Sequence, residues 1–226
     1  ATKLTISDEL KVTLGANAVR YESTGESYGA AYATSVRDKV SPYLGAVYKL
    51  DDVHSLYASY TEIFNPQVNL GADLKPLAPL EGKNYEIGIK SEFFDKKLNS
   101  SLALFKSKQQ NVAQIVGYNA NNIAINEGID ANTKGIDFDI AGEMLENLQI
   151  NAGFTYLFSI KNNDGDNVKT YTPRRNAVLS TTYKIPTVEG LKVGASLRWQ
   201  SDIHEDNYIR LRQESYAVVN LMALSL

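Results

Sequence analysis

Residues 79–94 read PLEGKNYEIGIKSEFF, and the order of side chains within them decides the fold. From Tyr85 onward, Tyr85, Ile87, Ile89 and Phe93 fall on one parity, and Glu86, Gly88, Lys90 and Glu92 on the other. A period of two places successive side chains on opposite faces of a β-strand, whereas a helix would spread them around its axis. Three charges on one face cannot enter a dry interior unpaired, so one face of this strand is wet and the other apolar.

The same reading extends in both directions. Upstream, Leu10, Val12, Leu14, Ala16 and Ala18 alternate with Lys11, Thr13, Gly15 and Asn17. Downstream, Ile136, Phe138 and Ile140 alternate with Asp137 and Asp139, and the series Leu148, Ile150, Ala152, Phe154, Tyr156, Phe158, Ile160 alternates with mostly polar residues. Leu179 to Ile185 and Leu191 to Trp199 repeat the pattern.

Between these strands lie short connections, at Leu50 to Val53, Asp95 to Lys97, Glu146 to Asn147 and Pro186 to Gly190. They alternate with longer polar stretches at Glu22 to Ser35, Asn65 to Leu80, Tyr118 to Asn122, Asn162 to Pro173 and Asp202 to Glu214. If neighbouring strands pair antiparallel, all short turns gather at one end of the sheet and all long loops at the other, as in transmembrane β-barrels. Aromatic residues sit near strand ends on the apolar parity, with Tyr48, Phe93 and Tyr183 by short turns and Tyr60, Tyr85, Phe158 and Trp199 by long loops. Two such belts around an aliphatic band suit two membrane interfaces. The alternation alone would also serve a soluble antiparallel sandwich or a β-rich binding module with one solvated face.

Composition excludes several classes. The chain has 226 residues, no Cys, and a net charge of -3 from 23 basic and 26 acidic residues. A thiolate nucleophile and Cys-ligated metal sites are therefore absent, and a broad attraction to nucleic acid is unexpected. No apolar run reaches the roughly 20 residues of a membrane-spanning helix. No nucleophile, base and orienting acid assemble with any specificity, so the chain does not read as an enzyme.

Several stretches resemble one family. Residues 56–67 (LYASYTEIFNPQ), 79–94, 98–112 (LNSSLALFKSKQQNV), 133–142 (TKGIDFDIAG), 173–183 (PRRNAVLSTTY) and 215–223 (SYAVVNLMA) are similar to the barrel of TonB-dependent siderophore receptors, and span most of the chain after Val40. That resemblance implies an all-β, antiparallel, up-and-down transmembrane barrel of about 22 strands whose lumen is plugged. At about twenty residues per strand and connection, residues 1–226 are expected to supply the C-terminal portion, some ten or eleven strands, with the plug domain outside the chain. It further implies residence in the outer membrane of a Gram-negative bacterium, contact with its lipid, and import of a ferric siderophore. Energy would come from the TonB transducing protein acting through the absent N-terminal region. The iron would be carried by the siderophore, so no protein cofactor is expected; cobalamin, haem or a saccharide are the alternative cargoes.

Candidate ligand contacts follow from parity and position near the long loops. Arg174, Arg198 and Gln200 should face the lumen, and Phe64, Tyr118 and Tyr171 should lie on the loops themselves. Arginines attract anionic chelates, and aromatics offer flat apolar contact. The run Asn162 to Asn167 echoes a calcium loop but lacks its closing Glu, and reads as a polar loop tip. Asp202, His204, Glu205 and Asp206 crowd one loop and read as solvated acids rather than a metal site, and His54 and His204 fall at opposite ends of the strands.

Overall fold

The alternation is realised as backbone pairing. The computed structural model describes residues 1–27, 29–205 and 210–225, which form strands and turns with no helix among them. In chain order these are β1 (Thr2–Thr5), β2 (Leu10–Ser27), β3 (Ala30–Lys49), β4 (His54–Asn65), β5 (Leu80–Phe93), β6 (Leu98–Tyr118) and β7 (Ala124–Leu145). There follow β8 (Leu148–Lys161), β9 (Arg175–Lys184), β10 (Leu191–Gln200), β11 (Ile203–Glu205), β12 (Leu211–Gln213) and β13 (Tyr216–Ser225).

Eleven strands form one antiparallel sheet in the order β1 to β10 and then β13, while β11 and β12 make a small hairpin of their own. The sheet does not close: β1 pairs only with β2, and β13 only with β10. Register makes each face continuous. One row runs Ile89, Leu102, Phe138, Phe154, Ala177, Trp199, and the row behind it Gly88, Ala103, Asp137, Thr155, Asn176, Gln200, Tyr216.

No second layer covers the apolar face. Ile87 is 60% exposed, Leu104 52% and Leu221 81%, so these side chains meet only their neighbours within the sheet and present a broad apolar surface outward. This separates the sheet from a sandwich, where the apolar rows of two layers would interlock. Among the described residues no helix is long and apolar enough to cross a membrane.

The opposite face is built differently. On it, glycines let aromatic rings lie flat: a Cβ on Gly88 would stand 2.7 Å from Tyr57 Cε1, and one on Gly135 2.6 Å from Phe105 Cζ. The Tyr57 hydroxyl donates to Glu86 at 2.5 Å. Toward the long loops this face carries a small apolar cluster of Val112, Ala131 and Ile160, flanked by Leu80, Ile129, Leu157 and Val168.

Three sequence expectations change. Glu22 to Ser35 is strand rather than long loop, because β2 and β3 run 18 and 20 residues and continue pairing up to Ser27 and Ala30. Likewise β6 and β7, at 21 and 22 residues, leave only a tight turn in which Asn119 Oδ1 accepts the N–H groups of Asn121 and Ile123. Beyond the apolar band both faces meet water, so these strand extensions need no alternation and their polar composition imitates a loop. Finally, Ile160 is turned off the apolar face. Gly135 pairs with Leu157 and Lys134 with Ser159, so Phe158 is a bulge that reverses the faces beyond it and leaves Ile160 3% exposed.

Candidate ligand-binding site

Polar residues of the wet face form a patch on β8, β9, β10 and β13 that runs from mid-strand, at Asn151, Ser180, Ser196 and Asn220, toward the long loops at Arg198 and Tyr216. A depression of about 440 Å³ is lined by Asn151, Ser180, Ser196, Arg198, Tyr216 and Asn220, among others. Strand pairing sets these positions: Ser196 stands opposite both Ser180 and Asn220, and Arg198 opposite Val178 and Val218. Asn220 Nδ2 donates to Ser196 Oγ at 3.3 Å, and the Tyr216 hydroxyl to Gln200 Oε1 at 3.2 Å. Arg198 makes no ion pair among the described residues, leaving its guanidinium available to an anion.

A second cavity of about 540 Å³ lies at the rim where β8 and β9 meet their connecting loop, lined by Arg174, Ser201, His204, Lys161, Thr170 and Tyr156, among others; pairing puts Tyr156 and Lys161 on the apolar side of the sheet, away from the first depression. Ser201, 2% exposed, fixes its floor. Its Oγ accepts the N–H groups of Arg174 and Arg175 at 3.1 and 3.3 Å, and its own N–H donates to the Arg175 carbonyl at 2.9 Å. Arg174 Nη1 is buried without a hydrogen-bond partner, and burial lowers the guanidinium pKa. A buried cationic N–H without an acceptor is costly, and a bound anionic oxygen would satisfy it.

The six residues expected from the sequence separate into groups. Arg198 and Gln200 share β10 and the same face, as expected. Arg174 sits at the neighbouring cavity, and Tyr171 lies in the loop between β8 and β9, where burial and the Glu205 carboxylate raise its phenol pKa. The N–H of His204 donates to the Thr170 carbonyl at 3.3 Å, tying that loop to β11.

Phe64 and Tyr118 depart from expectation. Phe64 belongs to β4 rather than a loop, shares the parity of Tyr60, and has Lys39 Nζ 5.6 Å from its ring centre. Tyr118 closes β6 opposite Ala124 and lines neither cavity. Both moved because the strands outlast their apolar segments. The sequence reading missed Asn151, Ser196, Ser201, Tyr216 and Asn220. Their alternation in residues 216–222 was visible, but their convergence depends on β13 pairing with β10 across the β11–β12 hairpin.

Among the described residues no three His, Asp or Glu side chains are grouped as metal ligands. Asn162 Oδ1 accepts the Asp166 N–H at 2.8 Å and Gly165 takes a positive φ of 93°, so this loop spends its oxygen on its own turn. Asp206 lies outside the described residues. His54 begins β4 by a short turn while His204 lies in β11 at the other end, so the two do not converge.

Comparison with known proteins agrees with this geometry. The pattern of the family described as "TonB dependent receptor-like, beta-barrel" matches residues 2–226. The ferripyoverdine receptor of Pseudomonas aeruginosa is 38% identical over 239 residues, covering 98% of this chain and 28% of that protein. The crystal structure of the Pseudomonas aeruginosa outer-membrane ferripyoverdine receptor bound to ferripyoverdine superposes with a TM-score of 0.79 at 35% identity, over 98% of this chain and 31% of that one. The alcaligin outer-membrane receptor of Bordetella pertussis gives a TM-score of 0.76 at 31% identity, over 98% of this chain and 38% of that one. The chain thus spans about a third of the length of the relatives it matches.

Proposed function

This chain belongs to the TonB-dependent receptor β-barrel family, and from that membership we propose that it forms one part of the wall of a receptor importing a ferric siderophore across the outer membrane. The observation that carries the proposal is the division of one sheet into an uncovered apolar face and a polar face on which Arg198 makes no ion pair among the described residues. The family resides in the outer membrane, where such a face meets lipid.

The open edges of β1 and β13 support reading residues 1–226 as the C-terminal portion of a larger barrel. Each unpaired backbone group would cost several kcal/mol in lipid, and further strands remove that cost. The plug and the segment engaged by the TonB protein belong to the rest of the receptor. The family consists of transport receptors, and recognition here needs no covalent chemistry. The siderophore holds the iron; the protein needs only to hold the chelate.

In this mechanism Arg198 and Gln200 contact the chelate from the wall, and Arg174 and Tyr171 from the neighbouring loop. Charge-assisted hydrogen bonds to the anionic chelate would satisfy the Arg174 Nη1 atom that the protein leaves unpartnered. Of the six, only Arg174 and Arg198 line a cavity; Gln200 accepts from Tyr216 at the edge of the first and Tyr171 shares the loop of Arg174, while Phe64 and Tyr118 lie on other strands and are the weakest contacts.

Ferripyoverdine is the first cargo to test, because the Pseudomonas aeruginosa relative is its receptor. Cells carrying the complete gene should take up radio-iron from a ferric siderophore that a deletion strain does not. Equal uptake by both strains across pyoverdine-type, hydroxamate and catecholate chelates rejects the proposal. Uptake only of cobalamin, haem or a saccharide moves the barrel to another cargo.

A further inference from the structure

Two hairpins of the sheet rise past their neighbours at the long-loop end, and the chain treats their edges differently. β6 outlasts its pairing with β5 after Gln110, and β7 joins β8 only from Asn132 onward. The loop between β4 and β5 reaches both extensions. Gln67 Nε2 donates to the Asn111 carbonyl at 2.6 Å, and the Asn126 N–H donates to the Leu70 carbonyl at 2.8 Å.

The β2–β3 hairpin receives no such cover. β3 pairs with β4 only from Tyr43 to Lys49, and carrying that register upward sets Lys39 against Asn65, the last residue of β4. Ala31 to Val36 therefore stand above the end of β4. They pair with β2 on one side, and among the described residues no backbone group meets them on the other. Lys39 spans the foot of the opening, its Nζ 2.6 Å from Glu81 Oε2 and 5.6 Å from the centre of the Phe64 ring. Alternate residues of an antiparallel strand turn their N–H and C=O groups to the same side, so this edge is a row of unmet donors and acceptors.

Proteins usually guard such an edge with Lys, Pro or a bulge. Here Pro42, Lys39 and the register slip between Val36 and Lys39, where Asp38 takes a φ of 57°, all fall below it. The stretch from Ala31 to Val36 contains no charge, Pro or Gly. At about 3.4 Å per residue it is roughly 20 Å long, the span of one ordinary strand. Tyr32, Thr34 and Val36 share the lumen side, where Tyr32 lies so close over Gly25 that a Cβ there would stand 2.9 Å from its hydroxyl oxygen. Ala31, Ala33 and Ser35 leave the outer side unobstructed.

Geometry narrows the occupant. Leu44, Tyr60 and Tyr85 lie in one row of the upper belt, so Val36 is eight residues above it and lipid does not reach the edge. Further strands of the barrel join at β1 and β13, whereas β3 and β4 are consecutive, so barrel closure does not fill this opening. A second receptor in the same membrane is related to the first by rotation about the membrane normal. That operation sets the two β3 strands running the same way with identical edges facing, so donors meet donors and no ladder forms. We infer that the free edge of β3 docks an extended polypeptide segment of a different protein arriving from outside the cell. The segment adds antiparallel to Ala31 through Val36, with β-branched or aromatic residues against Tyr32, Thr34 and Val36. The inference rests on the outer-membrane reading of the sheet, which sets its orientation.

The test uses the full-length receptor in neutral detergent and, as probe, a synthetic peptide of alternating Thr and Val residues. Hydrogen exchange resolved to single amides is read over residues 31–36. Without peptide, alternate amides should exchange at least about tenfold faster than those bonded to β2, and millimolar peptide should slow them by a similar factor. N-methylation along one edge of the peptide should abolish the slowing, and along the other preserve it. Absence of slowing, or equal effects of N-methylation on both edges, overturns the inference. Protection of every amide in the free receptor also overturns it, by showing the edge already filled, as does protection that rises with receptor concentration, which makes the occupant a second copy. Ala33→Pro and Thr34→Pro each remove one N–H, from opposite sides of β3. The variant that keeps the β2 ladder should lose the peptide, and retained peptide protection in both rejects strand addition. Siderophore uptake is read separately: protection without uptake rejects the transport reading and leaves the docking edge in place.

Discussion

The two ends of the sheet are held in different ways. At the short-turn end, bonds close within a few residues: Asp51 Oδ1 accepts the N–H groups of Val53 and His54 at 2.7 and 2.6 Å, and Ser7 Oγ accepts that of Leu10 at 3.1 Å. At the long-loop end, turns at Asn119 and Asn162 also close locally, but further bonds join distant parts of the chain. Asn126 Nδ2 donates to the Leu70 carbonyl across 56 residues, Gln67 Nε2 to the Asn111 carbonyl across 44, and Arg174 N–H to Ser201 Oγ across 27. The first end can form as soon as its own hairpin does. The second set of bonds exists only once distant strands have come together, and it is the end that presents Arg174 and Arg198.

The difference is sharpest if recognition is confined to the long-loop end. Replacing Arg174 and Arg198 by Ala in the full-length receptor should weaken binding of an anionic ferric chelate by about 1–3 kcal/mol, read by titration calorimetry. Removing a cation at the other end, with Lys49→Ala, should leave that affinity where it was, since Lys49 pairs with Asp52 at 2.5 Å within its own turn. Equal losses at both ends would show that overall charge, rather than the site, governs binding.

The same contrast explains what could be read from the sequence. Strand parity, the apolar face and the short turns were legible because each depends on residues two to four apart; the order around Tyr85 to Phe93 suffices for one strand, and Asp51 with Val53 and His54 for one turn. Arg198 and Gln200 were found by parity within a single strand. The bulge at Phe158 was not, because it answers to pairing with Gly135 on the preceding strand rather than to its own neighbours. Ser201 was missed for a related reason: only pairing of β9 with β10 brings its hydroxyl to Arg174 and Arg175. Phe64 and Tyr118 were placed in loops because strand extensions in water carry the same residues as loops do.

A smaller effect should follow from loosening one anchor of the far end. Ser201→Ala leaves two backbone donors without their acceptor, at a cost of about 1 kcal/mol. Amide exchange at Arg174 and Arg175 should quicken, and chelate should dissociate faster, while the Val53 and His54 amides keep their wild-type protection. A uniform rise in exchange over both ends would mean that the sheet responds as one unit, and the distinction between local and distant closure would fail.

The smallest effect belongs to the short-turn end and depends on pH. The backbone N–H bonds from His54 and Val53 hold the Asp51 carboxyl below its ordinary pKa of 3.8. A carboxyl depressed by folding contributes stability that is complete above its unfolded value and is lost as pH falls through the lower, folded one. Protection of the Val53 and His54 amides, corrected for intrinsic exchange, should therefore decline only below about pH 3.8. Asp51→Asn keeps an oxygen acceptor but no titrating group, so the variant should lose this pH dependence while retaining protection near neutrality. Because the turn closes on itself, the arginine-bearing end should not register the change: chelate affinity of the variant at neutral pH should equal that of the parent. A drop there would tie the two ends together through the length of β4 and β5, which the separate sets of hydrogen bonds argue against.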